Sequence, residues 1–176
     1  MDFALSKKQQ ELQERARAAV TRVVVPIANE AKPGQQLTRE QVSRIYKGLV
    51  PTGYVGSTIS PDQGGAGLSF LDYGLLLEAL GSSPVLLGEV VPPRLIARVG
   101  TPEQKKRWLA RLLAGELVST AAITEPQAGS DTRGFTCEGV PGPTSYKVTG
   151  KKKWIKFGGI ADLITLMVVE PGLPAK

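Results

Sequence analysis

The chain has 176 residues, 41% of them hydrophobic and 22% charged, enough to bury one or two cores, which excludes a disordered or low-complexity class. It contains no histidine and one cysteine, Cys137, so Ser-His-Asp and Cys-His mechanisms, a Cys/His zinc site and an internal disulfide are excluded from within it, and no metal is expected. The net charge of +6 raises nucleic acid as a partner, but the basic residues are scattered over helical segments without interleaved aromatics, so none is expected.

Asp2, Lys7 and Lys8 open the chain with no apolar segment behind them, and no apolar run approaches a bilayer-spanning length. No secretion signal or membrane span is expected, and a reducing cytoplasm is the expected location. Ser6 and Gln9 have capping-box spacing ahead of Leu12, Ala16, Ala19, Val20, Val23, Val24 and Ile27. This predicts a long amphipathic helix over residues 6–31, disturbed near Pro26. Lys32-Pro33-Gly34 breaks it. Thr38 and Gln41 repeat the cap, and Val42, Ile45, Tyr46 and Leu49 predict a second helix ending near Gly53.

Residues 54–69 are rich in glycine, proline, serine and aspartate and are predicted to be a loop. Gly64-Gly65-Ala66-Gly67 within it reads as a structural turn, since no strand precedes it and no P-loop lysine follows. Leu71, Gly74, Leu75, Leu77, Glu78 and Leu80 predict a mostly buried helix from residue 70 to 80. Pro92-Pro93 should divide the apolar stretch 84–99 into two helical pieces, the second over 93–99. Thr101 as cap, Pro102 at the first helical position and Gln104 mark the clearest helix start, with Trp108, Leu109, Leu112 and Leu113 as its buried face and Gly115 as its end.

After Glu116 the apolar period changes. Strands are predicted over residues 117–124, 135–138, 146–149, 154–157 and 163–169, with a hairpin turn at 139–145. Helices followed by strands give the α+β class: an amino-terminal all-α domain, residues 1–117, followed by a partial antiparallel β domain, residues 118–176. Lys147, Lys151, Lys152, Lys153 and Lys156 are read as a solvated hairpin face in preference to a nucleic-acid module.

The stretch with most chemical content is Ala121-Ala122-Ile123-Thr124-Glu125-Pro126-Gln127-Ala128-Gly129-Ser130-Asp131. It reads as a strand ending in a loop whose glycine and serine suit a phosphate or a carbonyl, although composition alone also fits an ordinary corner. Thr124-Glu125-Pro126, two residues, then Gly129-Ser130-Asp131, with Trp154-Ile155 downstream, resembles the flavin-binding signature of the acyl-CoA dehydrogenase family. Pro61-Asp62-Gln63-Gly64-Gly65-Ala66-Gly67-Leu68 resembles that family's Gly-Gly-x-Gly loop, and Gly100-Thr101-Pro102-Glu103-Gln104-Lys105 the start of its last amino-terminal helix. These segments fall in the family's order from about Phe3 to Val169.

The resemblance implies an acyl-CoA dehydrogenase-like fold, with residues 118–176 as the first part of an incomplete middle β domain, and a flavin-dependent oxidoreductase carrying FAD. It implies α,β-dehydrogenation of an acyl group on coenzyme A or an acyl carrier protein. Ile123 and Thr124 are expected along the pyrimidine edge of the flavin, Gly129 and Ser130 at the pyrophosphate, Ser130 also at the substrate thioester, and Trp154 beside the ring system. Where the family usually has a threonine or serine, this chain has Lys156, which either places a cation by the flavin or points to solvent. The family's α-proton base lies in a carboxy-terminal helical bundle, so no catalytic residue is expected within these 176 residues, and Glu125 is assigned to the motif's scaffold. The expected assembly is a homo- or hetero-oligomer, or a complex with a complementing carboxy-terminal half. The alternative is a noncatalytic acyl-CoA dehydrogenase-like partner or assembly module.

Overall fold

A computed structural model describes residues 4–88 and 90–172. Asp2, Phe3 and Lys176, named above, lie outside them. The chain divides into two units, Met1–Val118 and Ser119–Lys176.

In the first unit, helix α1 runs Lys7–Ala19, passes through a π turn at Val20–Val24 and finishes as Val25–Ala28. Its start is the expected capping box: the Gln9 amide donates to Ser6 Oγ at 3.3 Å and the Ser6 amide to Gln9 Oε1 at 3.0 Å. The disturbance expected at Pro26 is taken up one turn earlier. Proline has no N–H and its ring crowds the carbonyl four residues back, and a widened turn ahead of it relieves both. Leu12, Ala16, Val20, Val24 and Ile27 form the buried stripe.

Helix α2 (Arg39–Leu49) is capped by Thr38 and Gln41 and buries Val42, Ile45, Tyr46 and Leu49. A 3-10 turn at Val50–Thr52 ends it on Gly53, whose φ of 89° is left-handed. The following loop turns its glycine amides inward. Gly64 donates to the Pro61 carbonyl (2.9 Å), Gly65 to Ser60 (3.0 Å), Gly67 to Ile59 (2.8 Å) and Leu68 to Ser57 (3.0 Å). These amides close turns and leave no cradle for a phosphate. At Gly65 any Cβ would collide with the Ile59 carbonyl. Gly65→Ala is therefore expected to destabilise the chain by about 2 kcal/mol through overpacking, read as a lower urea midpoint; an unchanged midpoint would contradict the packing described.

Helix α3 (Phe70–Leu80) is capped by Ser69 and buries Tyr73, Leu76, Ala79 and Leu80. Leu71, Gly74 and Glu78, part of the pattern expected for a mostly buried helix, are exposed. Apolar residues surround this helix, so spacing alone gave the stripe no phase; what orients it is α1. Gln9 Nε2 donates to Asp72 Oδ1 (3.0 Å) and Gln13 Nε2 to Glu78 Oε2 (2.8 Å), fixing which side of α3 faces that helix.

No helical piece forms over residues 84–88; helix α4 is the single segment Val91–Val99. Pro92 and Pro93 lack the amides that would close a turn onto residues 88 and 89, but both are tolerated in a first turn. The Tyr54 hydroxyl ties the preceding segment down by donating to the Gly88 carbonyl at 2.7 Å. Helix α5 runs Pro102–Gln104, a π turn at Lys105–Leu109 and Ala110–Leu113, with the expected Thr101–Gln104 capping box. Gly115 follows at φ 69°.

The second unit holds β1 (Ser119–Ala122), β2 (Glu138–Pro141), β3 (Tyr146–Thr149) and β4 (Leu163–Leu166). The antiparallel expectation describes β2 and β3, paired from Glu138↔Thr149 to Pro141↔Tyr146. β1 and β4 instead pair in parallel, Ser119↔Leu163 through Ala122↔Leu166, because the long connection between them returns the chain in the same direction. Past β4, the Val169 amide donates to the Cys137 carbonyl (2.8 Å) and the Gly139 amide to the Val169 carbonyl (2.9 Å), joining the two pairs.

Two predicted strands change. Residues 135–138 enter a ladder only at Glu138, since the amides of Thr136 and Cys137 bond a side chain. Residues 154–157 are a loop, with Trp154 and Phe157 left-handed at φ 58° and 59°.

Candidate functional site

The site is assembled around Glu125, which follows β1 and is only 1% exposed. A buried carboxylate is costly unless every lone pair is met. Here Lys152 Nζ donates at 2.7 Å, Gln127 Nε2 at 2.6 Å, the Thr136 amide at 2.7 Å and the Cys137 amide at 3.0 Å. Lys152, with a side chain 6% exposed, also donates to the Ile123 carbonyl at 2.8 Å and lies 4.3 Å from the Phe135 ring centroid. One ion pair thus binds together the end of β1, the 136–137 segment and the start of the 150s loop. The solvated lysine face expected from sequence is corrected at this point: Lys152 is interior.

Burial raises the pKa of Glu125, but the Lys152 ammonium, the Thr136 and Cys137 amides and the Gln127 side chain outweigh it and hold the carboxyl at about 2. Because the folded value lies below the ordinary 4.5, the stabilisation it contributes is complete above that pH and is lost as pH falls through about 2. Urea midpoints measured from pH 7 downward should fall below about pH 4.5 for this reason. Glu125→Gln should flatten that part of the profile, and an unflattened profile would contradict the assignment.

The neighbouring lysine aligns the next layer. The Lys153 amide donates to the Thr124 carbonyl at 2.9 Å, and Lys153 Nζ reaches the Pro126 carbonyl at 3.2 Å and lies 3.8 Å from the Trp154 ring centroid. Trp154 thus directly follows the residue bonded to Thr124, in a left-handed conformation, with 82% of its surface exposed. A bulky residue with positive φ and an open indole is costly twice over, in backbone strain of about 1–3 kcal/mol and in exposed apolar area. Such outliers cluster at active sites and ligand clamps.

The loop after Glu125 is equally fixed. Glu125 and Ala128 exchange backbone hydrogen bonds (2.8 and 3.3 Å), and Gln127 Nε2 also donates to the Gly134 carbonyl at 3.1 Å. Gly129 and Ser130 stand exposed on it, and the Ser130 and Thr124 hydroxyls have no protein partner among the described residues. Ile123 and Thr124 are half-buried. Lys156 is half-buried between the two left-handed residues, its ammonium 5.5 Å from the Phe157 ring centroid, and burial lowers its pKa. The structure joins Ile123 and Thr124 to Trp154 through Lys152 and Lys153. Gly129 and Ser130 belong to the Glu125 loop, and Lys156 to the Trp154 loop.

Sequence reasoning missed Lys152 and Lys153 as the residues that place the indole. The signal was the lysine triplet directly before Trp154, which reads as surface charge until Glu125 is known to be interior. The arrangement offers a strand end, two hydroxyls without a partner among the described residues and a flat aromatic exposed on a strained loop. That fits a planar heteroaromatic ring bearing an anionic tail.

The sequence matches the family description "Acyl-CoA dehydrogenase, N-terminal domain" over residues 6–116 and "Acyl-CoA dehydrogenase, middle domain" over residues 120–176. It is 31% identical over 151 residues to a very long-chain specific mitochondrial acyl-CoA dehydrogenase of Bos taurus, covering 81% of this chain and 23% of that protein. It is 30% identical over 175 residues to a short-chain specific acyl-CoA dehydrogenase of Clostridium acetobutylicum, covering 96% of this chain and 45% of the other. Among solved structures, the FAD complex of PigA superposes with a TM-score of 0.79 at 27% identity, over 99% of this chain and 46% of that one. The chain spans less than half the length of each of these relatives.

Proposed function

The chain belongs to the acyl-CoA dehydrogenase family, and from that premise we propose that it forms the flavin-facing amino-terminal part of an enzyme that dehydrogenates acyl thioesters between the α and β carbons. The observation that carries this reading is Trp154: an indole 82% exposed on a strained loop, tied to Thr124 through the Lys153 amide. FAD is the cofactor we assign, and when bound it supplies the acceptor for the hydride that leaves the β carbon.

In this reading Ile123 and Thr124 present backbone and hydroxyl to the edge of the ring, and Trp154 covers one of its faces. Gly129 and Ser130 take the pyrophosphate, with Ser130 also near the thioester carbonyl. Lys156 adds positive charge at the same edge, favouring a reduced, anionic ring. Lys156→Thr is expected to lower the flavin reduction potential in a dye-coupled reductive titration, and an unmoved potential would remove Lys156 from the site. We assign no residue of this chain the role of α-proton base; that carboxylate is supplied by carboxy-terminal helices, as the resemblance implies, and these residues alone are inactive.

The substrate we propose is an acyl group on coenzyme A or on an acyl carrier protein. The chain acts within a homo- or hetero-oligomer or with a complementing carboxy-terminal half, in a reducing cytoplasm that suits its free buried thiol, Cys137. No helix among the described residues is long and apolar enough to cross a membrane. The second reading, a noncatalytic partner, is favoured by exposed apolar side chains on β2–β4, including Val140, Tyr146, Val148, Ile164 and Leu166.

The test is flavin retention after gel filtration, for this chain alone and mixed with a polypeptide supplying the family's carboxy-terminal helices. The enzyme reading expects visible flavin absorbance in the mixture, bleached anaerobically by an acyl-CoA. Absence of flavin from both samples would leave the partner reading.

A further inference from the structure

Lys153 and Trp154 are neighbours in sequence, and in an extended strand neighbouring side chains point to opposite faces. The left-handed backbone at Trp154, φ 58°, breaks that alternation and brings the two together, so that Lys153 Nζ stands over the indole, 3.8 Å from the ring centroid. The conformation is costly for a bulky residue, and the lysine–indole contact is what it produces.

Lys153 is itself anchored twice on the segment that follows β1. Its amide donates to the Thr124 carbonyl at 2.9 Å and its ammonium to the Pro126 carbonyl at 3.2 Å. A flexible four-carbon stem is thereby held at both ends. No carboxylate pairs with the ammonium among the described residues, so its charge is left to act on the π face of the indole. A contact that served packing alone would draw the indole out of water. Here the indole keeps 82% of its surface exposed, so the contact orients the ring without burying it: one face is covered by a cation and the other is open.

We infer that Lys153 is a positioning residue, which clamps one face of Trp154 so that a planar heteroaromatic ring can stack only on the opposite face. The identity of that ring rests on the flavin reading above, whereas the clamp is measurable without flavin.

The experiment uses the 176-residue chain carrying Trp108→Phe, in which Trp154 is the sole indole. Lys153→Met removes the charge and keeps an unbranched stem, and Lys153→Arg keeps a cation able to stack on an aromatic face. Without flavin, Lys153→Met should lower the anisotropy of Trp154 emission with little change in thermal midpoint, and Lys153→Arg should hold it at the parent value. With FAD and tryptophan-free carboxy-terminal helices present, Lys153→Met should weaken flavin binding roughly 2- to 5-fold, the equivalent of one exposed cation–π contact, and Lys153→Arg should restore it. Lys151→Met, which removes an exposed ammonium from the same lysine run, should change neither reading. Anisotropy unchanged in Lys153→Met, or lost equally in Lys153→Arg, would overturn the clamp. So would equal weakening of flavin binding in Lys151→Met and Lys153→Met, which assigns the effect to long-range charge. The expected anisotropy pattern on a chain that retains no flavin would uphold the clamp and overturn the flavin reading, which keeps the two failures distinct.

Discussion

Replacing Lys152 with methionine is expected to destabilise the β unit by about 3–5 kcal/mol, the usual cost of removing one partner of a buried ion pair. Methionine matches the aliphatic stem and leaves no void, so the loss is electrostatic. Glu125 would keep its two backbone donors and Gln127 but lose the cation that offsets its burial, and the Ile123 carbonyl would lose its partner. The loss should appear as a lower urea midpoint at pH 7. Because an uncharged side chain at residue 125 no longer needs the ammonium, Lys152→Met combined with Glu125→Gln should recover part of it. A single variant that unfolds at the wild-type midpoint would show that the pair does not hold these three segments together.

The second large effect separates stability from binding. Trp154→Gly should leave the fold as stable as the parent or raise it by about 1 kcal/mol, because glycine adopts a φ of 58° without strain and an exposed indole is removed. The same change should weaken flavin binding by about tenfold or more, the loss expected from one stacked aromatic, on the order of 1–3 kcal/mol by analogy with base–aromatic stacking. Melting curves and flavin titrations on the same preparation, with the complementing carboxy-terminal helices present, measure both. A variant less stable than its parent yet equally able to bind flavin would mean that Trp154 is a packing residue.

The three capping boxes at Ser6, Thr38 and Thr101 were legible because each is a local pattern whose partners lie three residues apart. The buried face of α3 was not legible, because its phase is set by Gln9 and Gln13 more than sixty residues away. The same contrast runs through the β unit. The 139–145 turn follows from glycine and proline content, whereas the parallel pairing of β1 with β4 depends on how a forty-residue connection returns. At the proposed site, Thr124, Ser130 and Trp154 are named from a spaced motif alone. What holds them, the Glu125–Lys152 pair and the Lys153 amide, needed coordinates, because a lysine and a glutamate 27 positions apart carry no local sign that both are interior. The left-handed turn at Trp154 was hidden for a related reason: three apolar residues among the four at 154–157 read as a strand, and only the positive φ at Trp154 and Phe157 shows the chain held in another shape.

The most direct measurement uses the protein's own fluorescence. The chain has two tryptophans, so Trp108→Phe leaves Trp154 as the sole emitting indole. Titrating FAD into that variant, with tryptophan-free carboxy-terminal helices present, should quench its emission saturably and in step with the flavin bound. Flavin that binds while the emission of Trp154 stays constant would show that the ring sits elsewhere.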